Sequence, residues 1–394
     1  MSREVVVLGA CRTPVARFLG VLQDVPAYQL GSIVIADILK RSGIQAENVD
    51  EVIMGNVLQH GQGQNPGRLA TIRSGLPDSV PAITINKLCG SGMKAAHMGS
   101  QAILLGDAEV VVAGGFENMS LAPFTLSKQR QGYRMGDATL VDSLLGDGLN
   151  CGICGYHMGM TAENVAAKYG FTREAQDRFA LESQRRAVAA IAAGKFKDEI
   201  FPVEIPRKKG EPLIFDTDEH PRADTTFEGL QALKPAFKPD GTVTAGNASG
   251  MNDAAAALVL SSSDFARGRG LKPLARIVSY ASAALDPAYM GLGPILATRK
   301  IMAKSGMTVE QMDVIEANEA FASQALATVG DLGLDMSKTN LCGGAIALGH
   351  PIGASGARIL VTLIHALRRE GGRYGLATMC IGGGQGIATI VEAM

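Results

Sequence analysis

Residues 82–96 read A-I-T-I-N-K-L-C-G-S-G-M-K-A-A, an apolar β-branched run that meets glycines and then small helix-forming residues. That is the pattern of a strand, a tight turn and a helix. Cys89 falls at the turn, where unpaired N–H groups and the positive end of a helix favour thiolate over thiol, which makes it a candidate nucleophile. Gly90 and Gly92 keep side chains away where a substrate carbonyl would need close access to N–H donors. The competing reading is a small buried cysteine in a packed turn, since free cysteines are among the most buried residues.

Two further stretches could complete a site. Residues 340–358 run N-L-C-G-G-A-I-A-L-G-H-P-I-G-A-S-G-A-R, with His350 among glycines and a helix expected from about Ala354. A histidine there could act as a general base, although a lone histidine is more often structural. Residues 378–386, T-M-C-I-G-G-G-Q-G, end a strand with Cys380 and then offer unhindered N–H groups, suited to a second thiol and an oxyanion hole or simply to close packing. Asn318, in E-A-N-E-A-F-A, could orient a water or a carbonyl, or cap a helix. Cys151, Cys154 and His157 in C-G-I-C-G-Y-H have ligand-like spacing, but a structural zinc normally takes four ligands and no second half is visible, so no metal is expected. A redox pair and a space-filling loop are the other readings of these cysteines.

The elements that must position these groups alternate. Strands are expected at 4–8, 49–55 and 109–113, with Gly114 and Gly115 behind the last, and helices at 27–41 and after Cys89 to about Leu105. Such alternation implies a parallel or mixed sheet covered by helices. Residues 40–56 resemble residues 303–318 in a gapped match, Ser91-Gly92 corresponds to Ser355-Gly356, and 110–115 corresponds to 378–383. Two similar α/β halves follow, about 1–120 and 272–394, and by this symmetry His350 lies almost opposite Cys89. Residues 121–249 differ in composition, with polar turns, helical patterns at 160–169 and 172–193 and a proline- and charge-rich stretch at 201–240; they read as an inserted loop domain. Residues 252–261 could return as a strand of the first half, which about 250–271 would complete.

At 394 residues the chain can bury a sizeable site, and 37 basic against 38 acidic residues give no net field toward nucleic acid or membrane. The opening M-S-R-E-V-V-V-L-G-A enters a strand with no leader-like segment, so a cytoplasmic protein is expected. The six cysteines form no disulfide framework and would stay free under reducing conditions.

Taken together, N-K-L-C-G-S-G, A-G-N-A-S-G-M-N-D, N-E-A-F-A, G-G-A-I-A-L-G-H-P-I-G-A-S-G and C-I-G-G-G-Q-G resemble the thiolase family over essentially the whole chain. The resemblance implies a thiolase-like α/β fold of two repeated mixed-sheet halves stacked in layers, with the insertion as a loop domain. It implies an acyltransferase of fatty-acid metabolism that reversibly condenses two acetyl-CoA to acetoacetyl-CoA and CoA through an acetyl-cysteine. A degradative 3-ketoacyl-CoA thiolase of broader chain length is the alternative. A relative that binds acyl groups without turnover would lack one of Cys89, His350 and Cys380, and a carrier-protein synthase would carry a second histidine in place of the terminal cysteine.

By the same resemblance Cys89 is acylated, His350 activates it and Cys380 moves the α-carbon proton. Asn318 would hold a water at the enolate oxygen, and the N–H groups of Cys89 and Gly382 would form the other oxyanion hole. Leu149, His157, Met158, Arg222, Phe237, Ala245, Gly246, Ser249, Ala320 and Phe321 would bind the CoA thioester, with Arg222 near the nucleotide end. Cys342 stands where relatives usually show asparagine. No cofactor is implied, the CoA thioesters being substrates, and residues 126–142 stand where family dimers pair into homotetramers.

Overall fold

The first strand, β1 (Val5–Arg12), serves two cores at once. Val5, Val7 and Ala10 face one, while Val6, Leu8 and Cys11 face the other. Strict alternation would put Leu8 and Ala10 on the same face; a register shift between Val7 and Gly9 moves them to opposite faces. The strand therefore continues past residue 8, where its expected end lay.

The structure, a computed structural model, describes residues 3–207 and 209–394. After β1 the principal strands are β2 (Glu51–Gly55), β3 (Ala82–Ile85), β4 (Val110–Asn118), β5 (Asn252–Ser262), β6 (Ala275–Ala284), β7 (Val314–Ala317), β8 (Tyr374–Ile381) and β9 (Gln385–Ala393). The principal helices are α1 (Ala27–Ser42), α2 (Pro66–Arg73), α3 (Ser91–Leu105), α4 (Met158–Tyr169), α5 (Arg173–Ala192), α6 (Gly293–Ser305), α7 (Ala322–Leu332) and α8 (Ile352–Arg369). These strands form one mixed sheet in the order β7-β8-β9-β6-β1-β5-β4-β2-β3.

The order is a palindrome. β4-β5-β1 is antiparallel with β2 added in parallel to β4, and β8-β9-β6 is antiparallel with β7 added in parallel to β8. Among the described residues, two pairs, Val6–Arg276 and Val7–Ala275, join the halves across the middle. The repeat extends to detail: β6 pairs with β9 through its own register shift, between Ile277 and Ser279, and a parallel bridge from Ile315 to Thr339 stands where β3 pairs with β2.

Five layers result. α3 and α8 lie between the two halves, Met93, Ile103, Ile359 and Leu363 sharing a core with Val111, Leu258, Met379 and Val391 from both. α1 and α2 cover the outer face of the first half through Ile35, Ile38 and Ala70, and α6 covers the second through Ala297 and Ile301. Each of the larger side chains among these, such as Ile35, Ile301 or Leu363, contributes about 1.5–3 kcal/mol on burial. α8 is buried along almost its whole length, as a helix enclosed by both halves of the sheet must be.

Near their N-termini α3 and α8 touch backbone to backbone. A Cβ on Gly92 would meet the Ala357 nitrogen at 2.8 Å, and one on Gly356 would meet the Met93 nitrogen at 2.5 Å. Glycine at both positions is required for the approach.

Other expected boundaries shift as well. β4 does not stop at residue 113 but runs through Gly114 and Gly115 to Asn118. α4 begins at Met158 rather than 160, because the His157 ring accepts the Gly159 N–H at 3.0 Å and caps it. α8 begins at Ile352 rather than Ala354, and a short helix, Ala345–Leu348, lies within the glycine-rich stretch before it. The insertion is tied to β1 by buried Arg12, which bonds Glu199 at 2.6 Å and Asp218 at 2.7 Å. Among the described residues no helix is long and apolar enough to cross a membrane.

Candidate active site

The turn between β3 and α3 holds Leu88 at φ 49°, a left-handed conformation rare outside glycine. Ser91 fixes it: its hydroxyl accepts the Lys87 N–H at 2.8 Å and donates to the Leu88 carbonyl at 2.6 Å. Lys87 Nζ donates to Gln385 at 2.6 Å, so the turn is also anchored to the opposite half. A Cβ on Gly90 would meet Ile381 Cγ1 at 2.9 Å, which brings the turn against the end of β8. Cys89 is thereby presented half-buried. Burial raises its thiol pKa, and hydrogen bonds from the Gly382 N–H and its own N–H lower it without cancelling that rise. The expectation of a resting thiolate is therefore corrected: desolvation outweighs the helix end, and the free thiol is protonated.

His350 is held at both ends. Its N–H donates to Asn252 Oδ1 at 2.9 Å, and its Nδ1 lies 2.7 Å from Ser355 Oγ. Because Ser355 gives its one hydroxyl proton to the Pro351 carbonyl at 2.9 Å, its oxygen accepts from Nδ1–H. Nε2 therefore carries the lone pair, and it has no partner among the described residues. Burial, and then Arg358, lower the imidazole pKa to about 3. The ring is a neutral base.

Cys380, near the end of β8, is buried, and burial and then the charge of Cys89 raise its pKa strongly. Asn318 follows β7, its N–H donating to the Thr378 carbonyl at 3.0 Å, and so caps no helix. Its buried side-chain amide has no partner among the described residues.

One cavity of about 1070 Å³ gathers these groups. Cys89, His350, Cys380 and Gly382 lie in its wall, as do Leu149, His157, Met158, Arg222, Phe237, Ala245, Gly246, Ser249, Ala320 and Phe321. Asn318 is the exception, absent from the wall. Phe237 organises the insertion side, stacking on His157 at 4.7 Å between centroids and meeting the Phe321 edge at 6.3 Å. The Ser249 N–H donates to the Ala320 carbonyl at 2.9 Å, joining the insertion to the second half. Arg17 and Arg222 line the same cavity; Arg17 is paired with Glu219 at 3.2 Å, which leaves Arg222 as the cation offered to an anionic ligand.

Sequence reading missed Glu117 and the holding role of Ser355 and Asn252. Glu117, buried near the end of β4, accepts the Val57, Leu58 and Gly353 N–H groups at 3.0, 3.1 and 2.9 Å and thereby fixes the start of α8. Its signal was legible: a carboxylate that follows V-V-V-A-G-G-F without a turn. Cys342 is buried in one cluster with Ala187 and Phe196 and accepts from Arg369 at 3.3 Å, so a thiol is accommodated at this position. His157 caps α4 and stacks on Phe237, and among the described residues no group of His, Cys, Asp and Glu is arranged to hold a metal.

Two family models match, the thiolase N-terminal domain over residues 5–264 and the thiolase C-terminal domain over residues 271–393. The chain belongs to the thiolase family. This thiolase is 59% identical over 386 residues to the acetyl-CoA acetyltransferase of Pseudomonas aeruginosa, with 98% of each chain covered. It is 56% identical over 389 residues to that of Chromobacterium violaceum, with 99% of each covered. The crystal structure of the Bacillus anthracis acetyl-CoA acetyltransferase superposes on the thiolase with a TM-score of 0.98 at 45% identity, covering 100% of this chain and 99% of that one.

The position of Cys89 makes a labelling order testable. Iodoacetamide should modify Cys89 before Cys11 and Cys342, which are buried with raised pKa values, and acetyl-CoA should protect it. Equal labelling of the three thiols, read by peptide mass, would mean that the cavity does not expose Cys89.

Proposed function

We propose that this thiolase is an acetyl-CoA C-acetyltransferase, condensing two acetyl-CoA to acetoacetyl-CoA and CoA and running the reverse cleavage with the same groups. The observation that carries the reading is that Cys89, His350 and Cys380 line one cavity, with the Gly382 and Cys89 N–H groups directed at the Cys89 sulfur. His350 Nε2 takes the thiol proton as the sulfur attacks the thioester carbonyl, and CoA leaves with that proton. The acyl oxygen then lies by the two N–H groups that held the sulfur, where they stabilise the tetrahedral intermediates. Cys380 next takes a proton from the methyl carbon of a second acetyl-CoA. A Cys89 thiolate would raise the Cys380 pKa further, and in the acyl-enzyme, where that sulfur is bonded to the acyl group, this contribution cannot arise. Asn318, whose unpaired amide is suited to a water, would assist at the enolate oxygen together with His350.

Arg222 and the Phe237–His157 stack favour a CoA thioester as ligand, and no cofactor enters the steps above. A homotetramer is favoured by the exposed hairpin Phe124–Leu126 with Leu140–Asp142, where Phe124, Met135 and Leu140 present apolar surface. Free Cys89 and Cys380 suit a reducing cytoplasm. Met158 Cε lies against Gly382, which shortens the space for an acyl chain beyond the reacting carbon. Steady-state thiolysis of acetoacetyl-CoA and of a long-chain 3-ketoacyl-CoA tests the reading. A kcat/KM about 10-fold or more higher for acetoacetyl-CoA is expected, and the reverse order would assign a degradative enzyme of broad chain length.

A further inference from the structure

Cys151 and Cys154 are thiols that the acyl transfer does not use. They lie on a hairpin in which Asn150–Cys151 pairs with Tyr156–His157, and the Gly155 N–H closes the turn on the Cys151 carbonyl at 2.8 Å. The Cys154 N–H donates to the Cys151 sulfur at 3.3 Å, so the backbone folds one cysteine back onto the other. A second cavity, about 670 Å³, is lined by Cys151, Gly152 and Ile153 on this side and by Leu88 and Gly383 from the catalytic turns. A small molecule in that cavity would meet Cys151, on the far side of Leu88 and Met158 from the catalytic cysteines that share the larger cavity with them.

Burial raises the Cys151 thiol, but the Cys154 N–H and thiol, the Ile153 N–H and the Gly383 N–H bring it below its ordinary value. Cys154 moves the other way, through burial and then its bond to Cys151, with the Tyr156 hydroxyl as a further partner. One thiol is set up to attack and the other to resolve, as in C-x-x-C dithiols.

We propose that Cys151 and Cys154 form a reversible redox site that reacts with low-molecular-weight disulfides and, when oxidised, slows acetyl transfer at Cys89. The Cys151 thiolate attacks one sulfur of the small disulfide, forming a mixed disulfide and releasing one thiolate. Cys154, giving up its proton, attacks the Cys151 sulfur and releases the second half. The two protein thiols are oxidised to one disulfide, the small disulfide is reduced to two thiols, and the two protons end on those thiols.

The link to catalysis runs through adjacent glycines. Gly383 lines one cavity with Cys151 and its N–H is among the groups that lower that thiol, as the Gly382 N–H is for Cys89. A disulfide sulfur carries no charge and accepts weakly, so the Gly383 N–H loses its partner and the donor beside it loses its fixed position. This second arm rests on the role proposed for Gly382; formation of the disulfide does not.

The test uses the reduced full-length protein treated with oxidised glutathione. Peptide mapping should show a Cys151–Cys154 crosslink with Cys89 and Cys380 free, and the same crosslink should form in Cys89→Ala, which cannot turn over. Cys154→Ser should instead retain one glutathione on Cys151, removable by dithiothreitol. Exchange of labelled CoA into acetyl-CoA by the oxidised wild type should fall about 10-fold and recover on reduction. No Cys151–Cys154 crosslink in either protein, or one joining Cys89 to Cys380 instead, overturns the site. A full crosslink with an unchanged exchange rate overturns its link to catalysis.

Discussion

Cys380→Ser should still exchange labelled CoA into acetyl-CoA and accumulate acetyl-Cys89, while condensation to acetoacetyl-CoA falls about 10²- to 10⁴-fold. In the proposed mechanism acyl transfer to Cys89 draws on its own sulfur, His350 Nε2 and the N–H groups of Cys89 and Gly382, none of which the substitution touches. Removal of the α-carbon proton is the step proposed for the second sulfur. A serine hydroxyl is a far weaker acid than a thiol, so its conjugate base is scarcely formed in a site where burial already holds the cysteine protonated. The half-reactions therefore separate. If exchange and condensation drop by one common factor, Cys380 shapes the cavity rather than moving the proton.

His350→Ala should lower acetylation of Cys89 by about 10²- to 10⁴-fold with the fold intact. The fold should survive because Ser355 keeps its bond to the Pro351 carbonyl and Asn252 keeps the backbone N–H at position 350. Quenched-flow measurement of acetyl-enzyme formation, with circular dichroism as the control, decides the matter; rapid acetylation in the variant would make the imidazole a structural group. The wild-type pH profile offers a second reading. Since burial lowers the imidazole pKa to about 3, the neutral base persists as pH falls from 8 through 6.5 to 5. Acetylation should show no half-loss near 6.5, the ordinary histidine value; a loss there would mean that water reaches the ring.

How far the residues announced this arrangement depended on whether the cause was local. The Cys89 turn and the His350 stretch were legible because glycines mark both, and the gapped match of residues 40–56 with 303–318 foretold a doubled architecture. β4 was cut short because Gly114 and Gly115 read as a turn. They are glycine for another reason: a Cβ on Gly114 would meet the Ala257 Cα at 2.8 Å, and one on Gly115 would meet the Gly353 carbonyl carbon at 3.0 Å. Both contacts join residues far apart in sequence, so no window of the chain contains their cause. The thiolate expected at Cys89 failed similarly, since a helix end is visible locally and desolvation by the facing half is not. Ser355 was visible as a marker of the repeat, but its bond to His350 depends on how the α8 turn closes.

The backbone contact of α3 with α8 at Gly92 and Gly356 bears on how such an enzyme can change over generations. Cys89 precedes one helix and His350 the other, so their separation is set where main chain touches main chain. Aliphatic residues deeper in the same layer, such as Ile103 and Leu363, can be exchanged for others of similar volume at a cost in stability alone, because they do not gauge that separation. A methyl group at Gly92 would wedge the helices apart at the point nearest the chemistry. Sequence drift in the interior and preservation of the reacting distance are therefore governed by different atoms, and the thiolase can absorb the first without surrendering the second.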